Sequence, residues 1–299
     1  TAAFWDVLAA REVENITKED LAQKKRHLAE TNERQSAGTA TDFDVLAAQV
    51  AVENARPAVI RGQNLVRTAR DRLAFLLAET ARDVDVDGAL GTAPGSLPVY
   101  ADELAKALQS RPELTELGTM RGIYGELATI AGAGNKPRVD FAEGWGQRSY
   151  WLTTLSASGT MWNAGLFATI PLFDGMRTKG QVAQARSLVA SITIDELKQR
   201  DAIALQVRTA VNDVVEATEI MAAIAGTLKQ AERLLFLAEK GFELGVKTRL
   251  EVQDAELNLS TARANLARAQ RDYRIASVNL EWVTGTIDGG PVPAPAASK

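Results

Sequence analysis

The chain has no cysteine and one histidine, His27, among 299 residues. These absences exclude thiol catalysis and disulfide scaffolding, and any Cys/His metal site or Ser-His-Asp triad would have to rest on a single imidazole. His27 lies in a polar run from Gln23 to Glu30 with no nucleophile or second ligand nearby, so it reads as a solvated helix residue. An oxidising compartment is compatible with the lack of cysteine. Phosphate-binding loops are missing as well: Gly132-Ala133-Gly134 lacks the later glycine and the helix start that such a loop needs. The net charge of −4, with no basic stripe carrying interleaved aromatics, gives no sign of nucleic-acid binding. No uncharged apolar run reaches the roughly 18 residues of a membrane helix, so any passage through a bilayer falls to strands. No cofactor, metal or catalytic site emerges, and an enzyme reading has nothing to stand on.

What the chain does have is a duplicated heptad ladder. One rail is Val252, Leu259, Leu266, Tyr273 and Leu280, and the other is Ala255, Ala262, Ala269, Ala276 and Val283. Shifted back by 207 residues, the same ladder returns as Val45, Val52, Val59, Val66, Leu73 and Ala48, Ala55, Gly62, Ala69, Leu76. A seven-residue repeat held this long predicts a coiled-coil seam with left-handed supercoil, and the small-residue rail lets helices approach closely. The duplication predicts one architectural unit used twice.

Residues 1–79 read as a first helical hairpin. Gly38 breaks the first helix, and Thr41 caps the second, with Asp44 three residues on. Pro57 falls inside the second helix, on the face opposite the seam, where a kink is expected. The repeat offset matches Ala3, Asp6 and Val7 to Ala210, Asp213 and Val214, so Thr1 is expected to fall inside a longer helix, with an N-terminal part preceding it. No signal peptide is visible. Residues 80–134 read as a linker followed by two short helices around Arg111-Pro112. Residues 135–175 read as a β-hairpin with strands at 138–146 and 161–173 and a Ser/Thr/Gly-rich loop from Gln147 to Thr160. Trp145, Tyr150, Trp151 and Trp162 fall at the expected strand–loop ends, where an interfacial aromatic girdle would lie. An ordinary soluble hairpin is the alternative. Residues 176–285 read as a second, long hairpin with its turn near 243–248. Its first helix carries its own seam (Val207, Val214, Met221, Leu228, Leu235, Phe242) and would be roughly 100 Å long at 1.5 Å per residue. Residues 286–299 form a Pro/Ala-rich tail expected to be disordered.

Pro171-Leu172-Phe173-Asp174-Gly175 ahead of a long helix resembles the strand-to-helix junction of TolC-like outer-membrane efflux proteins. Gly245-Val246-Lys247-Thr248 followed by Glu251-Val252-Gln253-Asp254-Ala255, and its counterpart Gly38 to Ala48, resemble the same family. The likeness covers nearly the whole chain. It implies a mainly α protomer of long antiparallel hairpins, with a β-hairpin contributing to a transmembrane barrel shared by a homotrimer. It also implies an outer-membrane location in a Gram-negative bacterium, with the helical part in the periplasm. The function implied is a passive exit duct of tripartite efflux or type I secretion, partnered by a periplasmic adaptor and, indirectly, an inner-membrane pump. The family pattern has two strand pairs per protomer, whereas this sequence shows one.

The resemblance also assigns residues. Glu251 and Asp254 match acidic positions at the narrowest part of the closed tunnel, where clustered copies would raise one another's pKa and attract cations. The local alternative is a capping glutamate and a solvated aspartate. Asp44 and Lys247 match positions that bridge neighbouring tip hairpins as a gate lock. Lysine stands there in place of the usual arginine and lacks its bidentate fork. Gly38, Thr39, Gly245 and Val246 match the tips where an adaptor docks. A periplasmic coiled-coil scaffold or adaptor that forms no pore is the competing reading.

Overall fold

The computed structural model describes residues 1–79, 84–91 and 95–287; residues 80–83 and 92–94 of the expected linker, and the expected tail from 288 onward, lie outside them. The elements run α1 (Ala2–Ser36), α2 (Asp42–Leu76), α3 (Tyr100–Ser110), α4 (Pro112–Gly132), β1 (Arg138–Leu152), β2 (Leu155–Thr169), α5 (Arg177–Glu243) and α6 (Arg249–Thr284). Packing divides them into two units that cut across the segments expected from sequence. One is Thr1–Ser110 together with the chain from Ile203 onward; the other is Arg111–Ala202.

In the first unit every rail position is buried or half-buried except Leu76, which is 61% exposed. On α2, Val52, Ala55, Gly62, Val66 and Leu73 are buried. On α6, Val252, Ala255, Ala262, Ala269, Tyr273 and Val283 are buried. Val214, Ala217 and Met221 of α5 pack on Ala269 and Tyr273, and Ala238 packs on Val252 and Ala255. Each buried valine contributes on the order of 1.5–3 kcal/mol of apolar burial. The small rail sets the spacing: a Cβ at Gly62 would come within 3.2 Å of the Glu14 Cα on α1. Helix α2 runs through Pro57, which is exposed on the side away from the rails.

The segment after α2 is a strap across this unit. Val86 and Leu90 are buried against Val7 and Leu8 of α1, Leu73 of α2 and Ala267 of α6. Asp85 pairs with both Arg11 and Arg70, and the Gly95 amide donates to the Tyr273 hydroxyl at 2.9 Å. Further on, the Arg208 guanidinium sits 4.7 Å above the Tyr100 ring.

In the second unit β1 and β2 form one antiparallel pair, in register from Arg138 opposite Thr169 to Leu152 opposite Leu155. The loop expected at Gln147–Thr160 is therefore corrected: all of it except Thr153 and Thr154 is strand. The second strand stops at Thr169 rather than at Phe173. Serine, threonine and glycine look like loop composition, but once paired they continue the ladder, and β-branched threonine favours it. Trp145 faces Trp162 across the middle of the pair. Only Tyr150 and Trp151 lie near the turn, so the aromatics occupy two levels rather than the strand ends alone.

Alternation sorts the pair into two faces. Val139, Phe141, Trp145, Trp162 and Leu166 share one face with Glu143. Arg138, Asp140, Asn163 and Arg148 lie on the other, together with Tyr150, Met161 and Phe167. Beyond the pair, the Asp174 carboxylate accepts from the amides of Met176 (3.0 Å) and Thr178 (2.8 Å) and starts α5. Gly175 and Met176 there hold φ of +62° and +69°.

Candidate functional site: the helix tips

The two turns of the first unit are built alike. At the first, the Gly38 amide donates to the Gln35 carbonyl and the Thr39 amide to the Arg34 carbonyl, with φ of +75° at Gly38. At the second, the Gly245 amide donates to Phe242 and the Val246 amide to Gly241, with φ of +74° at Gly245. Both are Schellman closures, in which a left-handed residue satisfies the last helical carbonyls; glycine adopts that conformation without a Cβ penalty. Each next helix opens with a complete capping box. Thr41 Oγ1 accepts from the Asp44 amide while the Asp44 carboxylate accepts from the Thr41 amide; Thr248 and Glu251 do the same.

This geometry places the expected gate residues. Asp44 is committed to its cap, and the Thr41 hydrogen bonds hold its carboxyl below the ordinary range. Lys247 Nζ binds Glu251 Oε1 at 2.5 Å. Among the described residues of one protomer no ion pair joins Asp44 to Lys247. The Glu251 carboxyl is held down to about 2, first by the Lys247 hydrogen bond and then by Thr248. In a single protomer Glu251 is thus an ionised capping acid, the reverse of the rise expected for clustered copies. Asp254 is exposed one turn along, beside a groove that Ala48, Asn54, Arg249 and Leu257 also line.

Three features of the tips are absent from the sequence reading. Gly241 is buried, and a Cβ there would overlap the Lys247 side chain. The signal available was the repeat itself, since the matching first-repeat residue is Arg34, not glycine. Second, Arg34 of the first turn lies 5.6 Å from the Phe242 ring of the second, and Arg249 lies 5.8 Å from the same ring. One aromatic ring thus gathers a cation from each repeat. Third, His27 is not a solvated residue. Its Nε2 lies 2.8 Å from Oε1 of Glu256, which is only 7% exposed. Gln23 Nε2 donates to the same oxygen at 2.9 Å. Burial pushes the Glu256 carboxyl up, but the His27 hydrogen bond and charge, with Arg249 and Lys24, bring it below the ordinary range. The expectation failed because the partner is 229 residues away in sequence.

Duplicated helical hairpins with matched tips, together with one long β-hairpin carrying an apolar aromatic face, define a mainly α protein with no catalytic constellation among its described residues. The chain belongs to the outer membrane efflux protein family, whose model matches residues 104–286. It is 22% identical over 291 residues to the outer membrane protein TolC of Vibrio cholerae, covering 95% of this chain and 66% of that protein. It is also 22% identical over 300 residues to the outer membrane protein TolC of Escherichia coli, covering 96% of this chain and 60% of that protein. Its fold matches a membrane protein from Pseudomonas aeruginosa with a TM-score of 0.71 at 21% identity, covering 95% of this chain and 66% of that one. The chain thus spans about 60–66% of the length of the TolC proteins it resembles. The family is one of outer-membrane transport proteins, and the reading as a non-enzyme rests on that membership.

Proposed function

We propose that the full-length protein is a passive exit duct of the outer membrane, serving tripartite efflux or type I secretion of small molecules or polypeptides. The observation that carries this reading is the strand pair. Each strand is 15 residues long, roughly 50 Å at 3.3 Å per residue, more than a tilted crossing of the bilayer needs. Its apolar face is open to the surroundings, with Trp145 82% and Trp162 75% exposed. Each strand is paired on one side only among the described residues, and an unpaired edge is not tolerated in lipid. Closure with strands of other copies in a homotrimeric barrel satisfies both demands. A periplasmic scaffold or adaptor that forms no pore has no use for such a face.

Within this reading the hairpins divide the work. The turns near 36–41 and 243–248 are the periplasmic tips, and Gly38, Thr39, Gly245 and Val246 present them to an adaptor, which couples the duct to an inner-membrane pump. Glu251 and Asp254 of three copies line the constriction. Lys247 and Asp44 contribute to holding neighbouring tips together. The test is extraction of the full-length product from outer-membrane fractions in detergent, followed by planar-bilayer recording. A heat-modifiable trimer that conducts, with conductance raised by Asp254→Ala, supports the duct. A soluble monomer or dimer with no conductance overturns it.

A further inference from the structure

We propose that His27 and Glu256 form a protonation-dependent clasp tying the first repeat to the second, roughly 12 Å (two helical turns) inside the tips.

The geometry carries this. His27 stands on α1 and Glu256 on α6, so their 2.8 Å contact joins the two repeats directly. The second ring nitrogen, Nδ1, faces the exposed carboxylate of Glu30 at 3.4 Å. Carboxylates only accept, so both ring nitrogens can donate to them only when the ring is an imidazolium. Glu256 is itself buried, and a buried carboxylate is costly unless a cation offsets it. Its other direct contact, Gln23, is a neutral donor. Loss of the imidazolium charge therefore leaves Glu256 ionised among neutral donors, with only more distant cations to compensate.

The surrounding charges leave the imidazole as the group that changes near neutrality. From α1, Glu19, Asp20, Lys24, Arg26 and Glu30 lie around the contact, with Lys24 already paired to Asp20 at 2.6 Å. From α6, Arg249, Asp254, Glu256 and Arg263 do, with Arg263 paired to Glu19 at 3.1 Å, and from α5 the lining residue is the uncharged Leu235. The α2 side chains lining this groove are Ala48, Ala51, Asn54, Ala55 and Ala58, none of them titratable. Imidazole is the side chain whose ordinary charge change falls between about pH 5 and 8. The Glu256 carboxyl, held below its ordinary range, stays ionised as the pH falls toward that of a free carboxylate. The clasp is therefore closed on the mildly acidic side of neutrality and weakens as pH rises, which frees the α5–α6 tip from α1.

The inference does not depend on the duct reading, because it concerns contacts inside one protomer. These 299 residues contain no cysteine, so introduced thiols are the only ones among them. Cysteines replace the exposed Ala29 on α1 and Asn258 on α6 of the full-length protein in detergent, both are spin-labelled, and labelled chains are diluted with unlabelled ones so that only distances within a chain are read. Between about pH 5.5 and about pH 8 the fraction of chains at the longer distance should roughly double or more. His27→Gln, which keeps a neutral donor, should give one distribution at both pH values, and Glu256→Gln should blunt the response. Circular dichroism at both pH values establishes that each variant is folded. Identical distributions in the unsubstituted protein at both pH values, or an unchanged pH response in His27→Gln, overturn the clasp. Conductance, measured separately, reports on the duct alone.

Discussion

The side chain of Lys247 lies across Gly241, so that a methyl group at position 241 would overlap its Cγ. The glycine makes room for the lysine to reach Glu251. Ordinarily alanine in place of a helical glycine stabilises by roughly 0.5–1 kcal/mol. Gly226 in the same helix has nothing near a built Cβ. Gly226→Ala should therefore raise stability by about that amount, while Gly241→Ala should lower it by about 1–2 kcal/mol because Lys247 must leave its place. Denaturant midpoints of the two variants, measured side by side, decide the matter; a stabilised Gly241→Ala would refute the close contact.

The Glu251 carboxyl, held down to about 2, ties the second tip to pH. A carboxyl lowered in the folded state contributes stability that is present above its unfolded value near 4.5 and is lost as pH falls through the folded value. Below about pH 4.5 the stabilisation that the cap supplies should fall progressively, and protection of the Thr248 amide relative to its intrinsic exchange rate should fall with it. Glu251→Gln retains an oxygen acceptor without the charge, so its protection should lose this acid dependence. An unchanged acid profile in the variant would show that some other group controls the cap.

Arg34 and Phe242 bring the two tips together at 5.6 Å. A double-mutant cycle with Arg34→Ala and Phe242→Leu should return a coupling of about 0.5–1 kcal/mol, the range for a cation over a ring at an exposed site. Additivity within about 0.3 kcal/mol would mean the pair is a bystander. The same cycle with Arg249 apportions the ring between its two cations.

The two faces of the strand pair should tolerate charge unequally. Leu166 is on the face of Trp145 and Trp162, and Asn163 is on the face of Arg138, Asp140 and Arg148, which also carries Met161 and Phe167. If the aromatic face meets lipid, Leu166→Lys should cost about 2–4 kcal/mol near the bilayer midplane and deplete assembled protein in outer-membrane fractions. Asn163→Lys should assemble nearly as the unsubstituted protein does. Equal losses in the two variants would remove the lipid-facing assignment.

The rails and caps were legible in the sequence because their physics is local. A heptad period writes the buried face of a helix into the spacing of Val252, Ala255 and Leu259, and a capping box needs only Thr248 and Glu251 three residues apart. The duplication added weight, since Gly38 and Gly245 recur at one offset and both adopt the left-handed conformation. The strands were legible only in part. Val139 to Trp145 alternates clearly, whereas Gln147 to Thr160 looks like a loop until the partner strand is in place. A β-ladder depends on a neighbour, and single-strand patterning carries that neighbour weakly.

The sequence by itself determined the long helices, their buried stripes, their left-handed stops and the family, because each is encoded by residues a few positions apart or by ordered motifs along the chain. Only the tertiary structure decided that His27 meets Glu256, that Arg34 shares the Phe242 ring with Arg249, that Asp85 straps Arg11 to Arg70, and that Lys247 lies over Gly241. Most of these contacts join residues far apart in the chain and depend on how the helices and the strap lie side by side; the Lys247–Gly241 contact instead follows from the closure of one turn. No periodicity records such a pairing, because its energy exists only once packing has brought the two groups within reach.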